Sequence, residues 1–121
     1  MSKAVVGPQV SGGLSIYRKV DLGVTGQVAK ATPGMLYGLV ITNAAAAIRY
    51  VKIYNKATAP TEADTPAMTL KVAASSYLVM DPATMGLEFS AGISARGTTG
   101  VADNDTGAPT ANDIIVSLFY K

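Results

Sequence analysis

The side chains that could carry out chemistry in this sequence are mainly carboxylates, because the chain contains no histidine and no cysteine. Without histidine there is no Ser–His or Cys–His relay, and no serine lies in a Gly-x-Ser-x-Gly turn. Two carboxylate pairs, Asp81 with Glu88 and Asp103 with Asp105, could support glycosidase chemistry if a cleft held the carboxyl groups roughly 5 to 10 Å apart. A chain of 121 residues with 7% aromatic residues offers little for a sugar-binding groove. We therefore expect no enzymatic activity.

The acidic segment that ends at Gly107 was compared with a calcium-binding loop. Asp103 and Asp105 alternate before a glycine, as at the start of an EF-hand loop. That loop requires glycine at its sixth position and glutamate at its twelfth, whereas this segment has Gly107 fifth and Ile114 twelfth. Two interpretations stay open, a weak calcium site of another kind and a turn closed by aspartate side chains. We expect no cofactor.

Lysine, arginine and tyrosine are mixed along the strand-like segments of the first half of the chain, which is the composition of a surface that stacks nucleic-acid bases. Side chains alternate between the two faces of a strand. Within residues 48–54 this alternation puts Tyr50, Lys52 and Tyr54 on one face and Arg49 on the other. The basic cluster is therefore divided, and nucleic-acid binding is a weaker candidate function.

The elements that position these residues are short strands separated by turn-forming residues. Strand signals of β-branched and aromatic residues are bounded by Gly, Pro, Asn and Asp. Such regular spacing of short strands indicates a sandwich or a barrel, and we favour a small β-sandwich. About eight strands are predicted: 14–20, 24–30, 35–43, 48–55, 67–72, 77–80 continuing through a turn into 87–90, 93–96 and 113–120.

Segments outside these strands are predicted to be connectors. Residues 44–47 are four alanines, too few to nucleate a helix, so we expect a turn or a single helical winding. Residues 97–112 are rich in Gly and Thr and are predicted to form a long loop. Residues 1–13 are predicted to be a flexible N-terminal arm before a single domain at 14–121. The nearly continuous apolar run at 114–120 predicts a central strand with both faces covered.

Composition favours a surface that is partly covered by a partner, and the alternative is a surface of Thr, Ser, Ala and Gly, which is common in β-proteins. Only 15% of residues are charged, against roughly 25% in typical soluble domains. We therefore expect contacts with copies of the same chain, as a dimer or trimer, or with another protein. No apolar run approaches the roughly 20 residues of a membrane helix, and Gly7–Pro8 interrupts any signal-peptide core. We expect a protein without membrane contact that is made in the cytoplasm.

Residues 30–121 contain a succession of short motifs that resembles small virion proteins of tailed bacteriophages. The resemblance is to capsid decoration, or cement, proteins, and it implies a jelly-roll-like sandwich of antiparallel strands. Comparable domains also occur in tail, fibre and baseplate subunits, which remain the alternative. The motifs are Pro33–Gly34–Met35–Leu36–Tyr37–Gly38, Thr42–Asn43–Ala44, the strand from Arg49 to Lys56, Asp64–Thr65–Pro66, Gly92–Ile93–Ser94 and Asp113–Ile114–Ile115–Val116.

The resemblance implies a structural protein of the capsid surface that binds the phage major capsid protein at many symmetry-related sites. Weak individual contacts then suffice, because they add through multivalency. We expect the arm to augment a strand of the shell or of a sister subunit through Val5 and Val6, with Lys3 as a charged contact. The full set of candidate protein contacts is Lys3, Val5, Val6, Arg18, Lys19, Arg49, Tyr50, Lys52, Asp103 and Asp105.

Overall fold

The computed structural model describes residues 13–81 and 86–121, which form nine β-strands. The arm, with Lys3, Val5 and Val6, lies outside the described residues. The strands are β1 (Ser15–Lys19), β2 (Gln27–Lys30), β3 (Gly34–Asn43), β4 (Arg49–Asn55), β5 (Met68–Val72), β6 (Ser76–Met80), β7 (Leu87–Phe89), β8 (Ile93–Thr98) and β9 (Ile114–Tyr120).

The strands form two antiparallel sheets, which confirms the predicted all-β sandwich. The first sheet has the order β1-β9-β3-β6, with β7 also paired to β3. The second sheet has the order β2-β8-β4-β5. The segment predicted as one strand running through a turn is divided here into β6 and β7, which pair with successive parts of the ten-residue strand β3.

The hydrophobic core fills the space between the two sheets. Alternate residues of β3 and β9, such as Leu39 and Leu118, face Val51 and Ile53 of β4, and all four are fully buried. Burial of this apolar surface is the main favourable term in the stability of such a fold. The core therefore uses one face of each sheet. The other face of each sheet points outward and is a candidate for binding.

The ninth strand lies between β1 and β3, which confirms its predicted central position. Its inward residues are buried, but Ile115 and Phe119 on the outer face are only half-buried. The prediction that both faces are covered is therefore wrong for the described chain, because no described element lies over the outer face of the first sheet.

The predicted four-alanine connector has a defined structure. Residues 44–48 form bends without a helix, and the buried side chain of Asn43 holds them in place. Its amide donates hydrogen bonds to the carbonyl oxygens of Ala47, Val72 and Ala73 at 2.9 to 3.1 Å and accepts one from the backbone of Ala45. One side chain thus joins the β3–β4 connection to the β5–β6 corner.

Candidate binding surface

The outer face of the second sheet is polar, but it is covered by the chain itself. Lys52 and Tyr54 of β4 and Ser94, Arg96 and Thr98 of β8 point away from the core, and all five are buried. We call these residues the polar layer. The segment 99–113 folds back over these five residues, and their polar and charged side chains therefore lie in the interior of the protein.

Arg96 is held in the polar layer by three hydrogen bonds. Its guanidinium donates to the carbonyl oxygen of Val24 at 3.1 Å, to the hydroxyl of Tyr54 at 3.0 Å and to the carbonyl oxygen of Asp105 at 2.7 Å. A buried charge is tolerated when such bonds replace those it made to water. Val24 lies in the predicted strand 24–30, but β2 begins only at Gln27, and the Val24 carbonyl accepts a hydrogen bond from the Arg96 side chain.

Lys52 lies directly across the ladder from Arg96, so two cations face each other inside the protein. The ammonium of Lys52 donates to the carbonyl oxygen of Ala102. Burial lowers the pKa of Lys52 below its usual value of 10.5, and the positive charge of Arg96 lowers it further, while Asp105 and Asp103 act in the opposite direction. The prediction that Lys52 contacts a partner is incompatible with its burial.

The segment 99–113 is an ordered loop that acts as the cover of the polar layer. The Thr99 amide donates to the Gly107 carbonyl at 3.0 Å, and the Gly107 amide donates to the Asp105 carboxylate at 2.6 Å. The second bond is a turn closed by an aspartate side chain, one of the two interpretations of the sequence. At Gly100 a Cβ atom would overlap the Asp105 carboxylate, so a larger residue would displace the cover. Within the described residues no group of three or more potential ligands could hold a metal ion.

Other predicted contact residues are distributed over the molecule rather than gathered in one site. Arg49 is mostly buried and forms an ion pair with Asp113 at 3.1 Å. Lys19 is partly exposed and lies 3.5 Å from the Asp21 carboxylate. Arg18 and Asp103 are exposed, and Tyr50 is half-buried beside the loop.

The outer face of the first sheet has the opposite character, because it is apolar and uncovered by any described residue. It presents Ile16 of β1, Ile115 and Phe119 of β9, Val40 of β3, and Tyr77 and Val79 of β6. We call these six residues the apolar face. Tyr77 is 73% exposed and Val79 is 58% exposed. Where the four strands are paired, Arg18 is the one charged residue among the outward-facing described positions.

The apolar face contains two shallow hollows. One has a volume of about 440 Å³ and is lined by Val40, Thr42 and Tyr77 among others. The second, of about 290 Å³, includes Phe119 and Val79. Anchor side chains of a binding partner typically fill hollows of this kind. Sequence reasoning missed the apolar face, although alternation within residues 114–120 does place Ile115 and Phe119 on one side.

No helix in residues 13–81 and 86–121 is long and apolar enough to cross a membrane. Comparisons with protein-family models, with curated proteins and with solved structures found no match to this chain.

Proposed function

We propose that this protein is a non-enzymatic structural component of a phage virion that decorates the capsid by binding the major capsid protein. The observation that carries the proposal is the apolar face. Large exposed apolar patches are rare on soluble monomers and are typical of protein-binding surfaces. The capsid itself is inferred from the resemblance of residues 30–121 to cement proteins.

The contrast between the two outer faces supports a single docking direction. Lys52 and Arg96 of the second sheet are buried under residues 99–113, whereas the first sheet leaves Ile16, Tyr77 and Val79 exposed. A subunit that binds through the apolar face would carry the loop on its outward side. This orientation needs no catalytic group and no cofactor.

The jelly-roll form of the sandwich belongs to the same proposal. It is supported by the path of the chain, because β1 to β4 alternate between the first and second sheets and β8 and β9 return to opposite sheets. Paired Greek-key connections of this kind characterise jelly rolls, which include viral capsid domains.

The alternative is a tail, fibre or baseplate subunit that contacts a tail protein or the host surface. The specific observation that favours it is Tyr77, an exposed aromatic ring beside the 440 Å³ hollow that also includes Thr42 and Ser76. Exposed tyrosine next to hydroxyl groups is suited to binding a glycan, because one ring face is apolar while neighbouring groups form hydrogen bonds.

Immunogold electron microscopy of virions from the phage that encodes this chain tests the proposal. The antibody should be raised against residues 101–106, because this exposed stretch of the loop lies on the side opposite the apolar face. We expect gold particles distributed over the head. Label confined to the tail would favour the alternative, and absence of label from virions, with label retained on the purified protein, would contradict both.

A further inference from the structure

The edge strand β6 carries the two most exposed large hydrophobic residues in the strands of the first sheet, Tyr77 and Val79. It pairs with β3 on one side, and no described strand pairs with its other side. An edge strand of this kind leaves a row of backbone N–H and C=O groups that another strand can bind.

The other strands at sheet edges carry charged residues, which natural proteins use to prevent edge pairing. In contrast, β6 has the sequence Ser-Tyr-Leu-Val-Met, with no charge and no proline. It also carries Tyr77 and Val79, both more than half exposed. Among the described edge strands, β6 is thus the one that has no charged residue. The charged residues of the other edge strands are Arg18 and Lys19 in β1, Lys30 in β2, Lys71 in β5 and Glu88 in β7.

We infer that β6 is a homodimerisation strand, which pairs antiparallel with β6 of a second copy of this chain about a two-fold axis at Leu78. The sequence of β6 is self-complementary in that register. Tyr77 lies opposite the partner's Val79, and Val79 lies opposite the partner's Tyr77. Aromatic and β-branched residues are favourable neighbours across antiparallel strands, and both side chains lie on the exposed outer face.

The charges near β6 are compatible with this pairing. The nearest described acidic residue in sequence is Asp81, three positions from Leu78. In the proposed register the two copies of Asp81 are six residues apart along the strand direction, about 20 Å at 3.4 Å per residue. At this separation their repulsion is largely screened at physiological salt. Charge repulsion therefore does not oppose pairing with a second copy, whose β6 is itself uncharged.

Pairing through β6 would join the two first sheets into one continuous sheet and bring the two apolar faces side by side. Five residues per copy bury less than the roughly 800 Å² per partner of a stable complex, so the isolated dimer should be weak. It would form at high protein concentration, or where neighbouring copies are held close together. This inference does not depend on the capsid proposal, since it concerns the purified chain alone.

Sedimentation equilibrium across a concentration series up to about 200 µM, within the range of weak complexes, tests the inference. We expect the average mass of the wild-type chain to rise from 12.4 kDa towards twice that value. Val79→Lys should keep the mass at 12.4 kDa throughout, because it places a charge on the pairing strand. The matched control Val101→Lys changes a valine of similar exposure in the loop over the second sheet, and this variant should associate like the wild type. A wild-type chain that stays monomeric, or a Val79→Lys chain that still associates, would overturn the inference.

Disulfide trapping tests the register separately. The chain has no cysteine, so every disulfide must come from introduced thiols. A mixture of Tyr77→Cys and Val79→Cys chains should form a mixed disulfide under mild oxidation, at least about fivefold more than either chain alone, because directly opposed Cβ atoms lie about 4.5 to 5.5 Å apart. Equal yields from the mixture and from the separate chains would overturn the register. Far-UV circular dichroism of each variant verifies that the fold is retained.

Discussion

At the scale of single residues, Lys52 and Arg96 show how a charged side chain can belong to the interior of a small β-protein. Charged residues are almost never fully buried unless they are paired, so sequence reasoning placed Lys52 on the surface. The partners that permit burial are backbone carbonyls, at Ala102 for Lys52 and at Val24 and Asp105 for Arg96. The residue type of Lys52 gives no information about the carbonyl of Ala102, 50 positions further along the chain, so this part of the site could not be predicted.

Lys52 should make the stability of the protein depend on pH in the alkaline range. Its pKa in the folded chain lies below 10.5 because of burial and Arg96. Between the lowered pKa and 10.5 the unfolded chain binds more protons than the folded chain, so this contribution to stability increases as pH rises. Below the lowered pKa the cost of burying the charge is fully present.

We expect the difference in free energy of unfolding, wild type minus Lys52→Met, to increase from pH 8 to pH 10.5. Urea denaturation of both chains at several pH values measures it. The raised pKa of Tyr17, caused by its burial, affects both chains and cancels in the difference. A difference independent of pH would mean that Lys52 has its ordinary pKa in the folded protein.

At the scale of elements, the strands could be predicted because each strand is indicated by its own residues and by the turn residues beside it. Alternating β-branched residues and intervening turn residues place β3, β4 and β9 within a residue or two of their observed bounds. The pairing of strands was not predictable, since neighbours such as β1 and β9 are about 100 residues apart in the chain. Because the pairing could not be predicted, the apolar face could not be predicted either, since it forms only when four separate strands lie side by side.

Asn43 should be a principal stabilising residue of the connections. Asn43→Ala removes the amide that donates hydrogen bonds to the carbonyl oxygens of Ala47, Val72 and Ala73. These carbonyls then lose that donor. We expect a loss of about 2 to 4 kcal/mol in the free energy of unfolding, measured by urea denaturation. The control Asn104→Ala, at an exposed loop position, should change stability by less than about 0.5 kcal/mol. Equal effects of the two substitutions would show that the Asn43 amide is not a structural link.

At the scale of the whole molecule, the fold places the basic first half of the sequence next to the acidic second half. Residues 1–60 contain seven basic residues and one acidic residue, while the remainder is acidic. Strands from both halves alternate within each sheet, and the ion pairs Arg49–Asp113 and Lys56–Asp64 cross the division. Electrostatic steering between opposite poles is therefore not a property of this fold, and apolar contact is the stronger basis for binding.

The proposed binding to phage heads should depend on the apolar face and not on exposed apolar residues in general. Ile16→Asp would place a carboxylate in the contact, and we expect at least about a tenfold loss of apparent affinity in a co-sedimentation assay. The matched control Val101→Asp changes an apolar residue that is more exposed than Ile16 and lies in the loop on the opposite side, and it should bind like the wild type. If Val101→Asp abolished binding and Ile16→Asp did not, the docking side would be the loop.

The position of β9 between β1 and β3 has a consequence for how the chain acquires its structure. In the described sheet β1 pairs with β9 alone, so the first strand has no partner until the ninth strand has been synthesised. Contacts of such long sequence separation make folding slow, because the loop must close before the pairing stabilises it. During synthesis Ile16 and Tyr17 stay in an unpaired strand, which exposes them to wrong association with neighbouring chains. The yield of folded protein should therefore be governed by the time between the appearance of β1 and the arrival of β9.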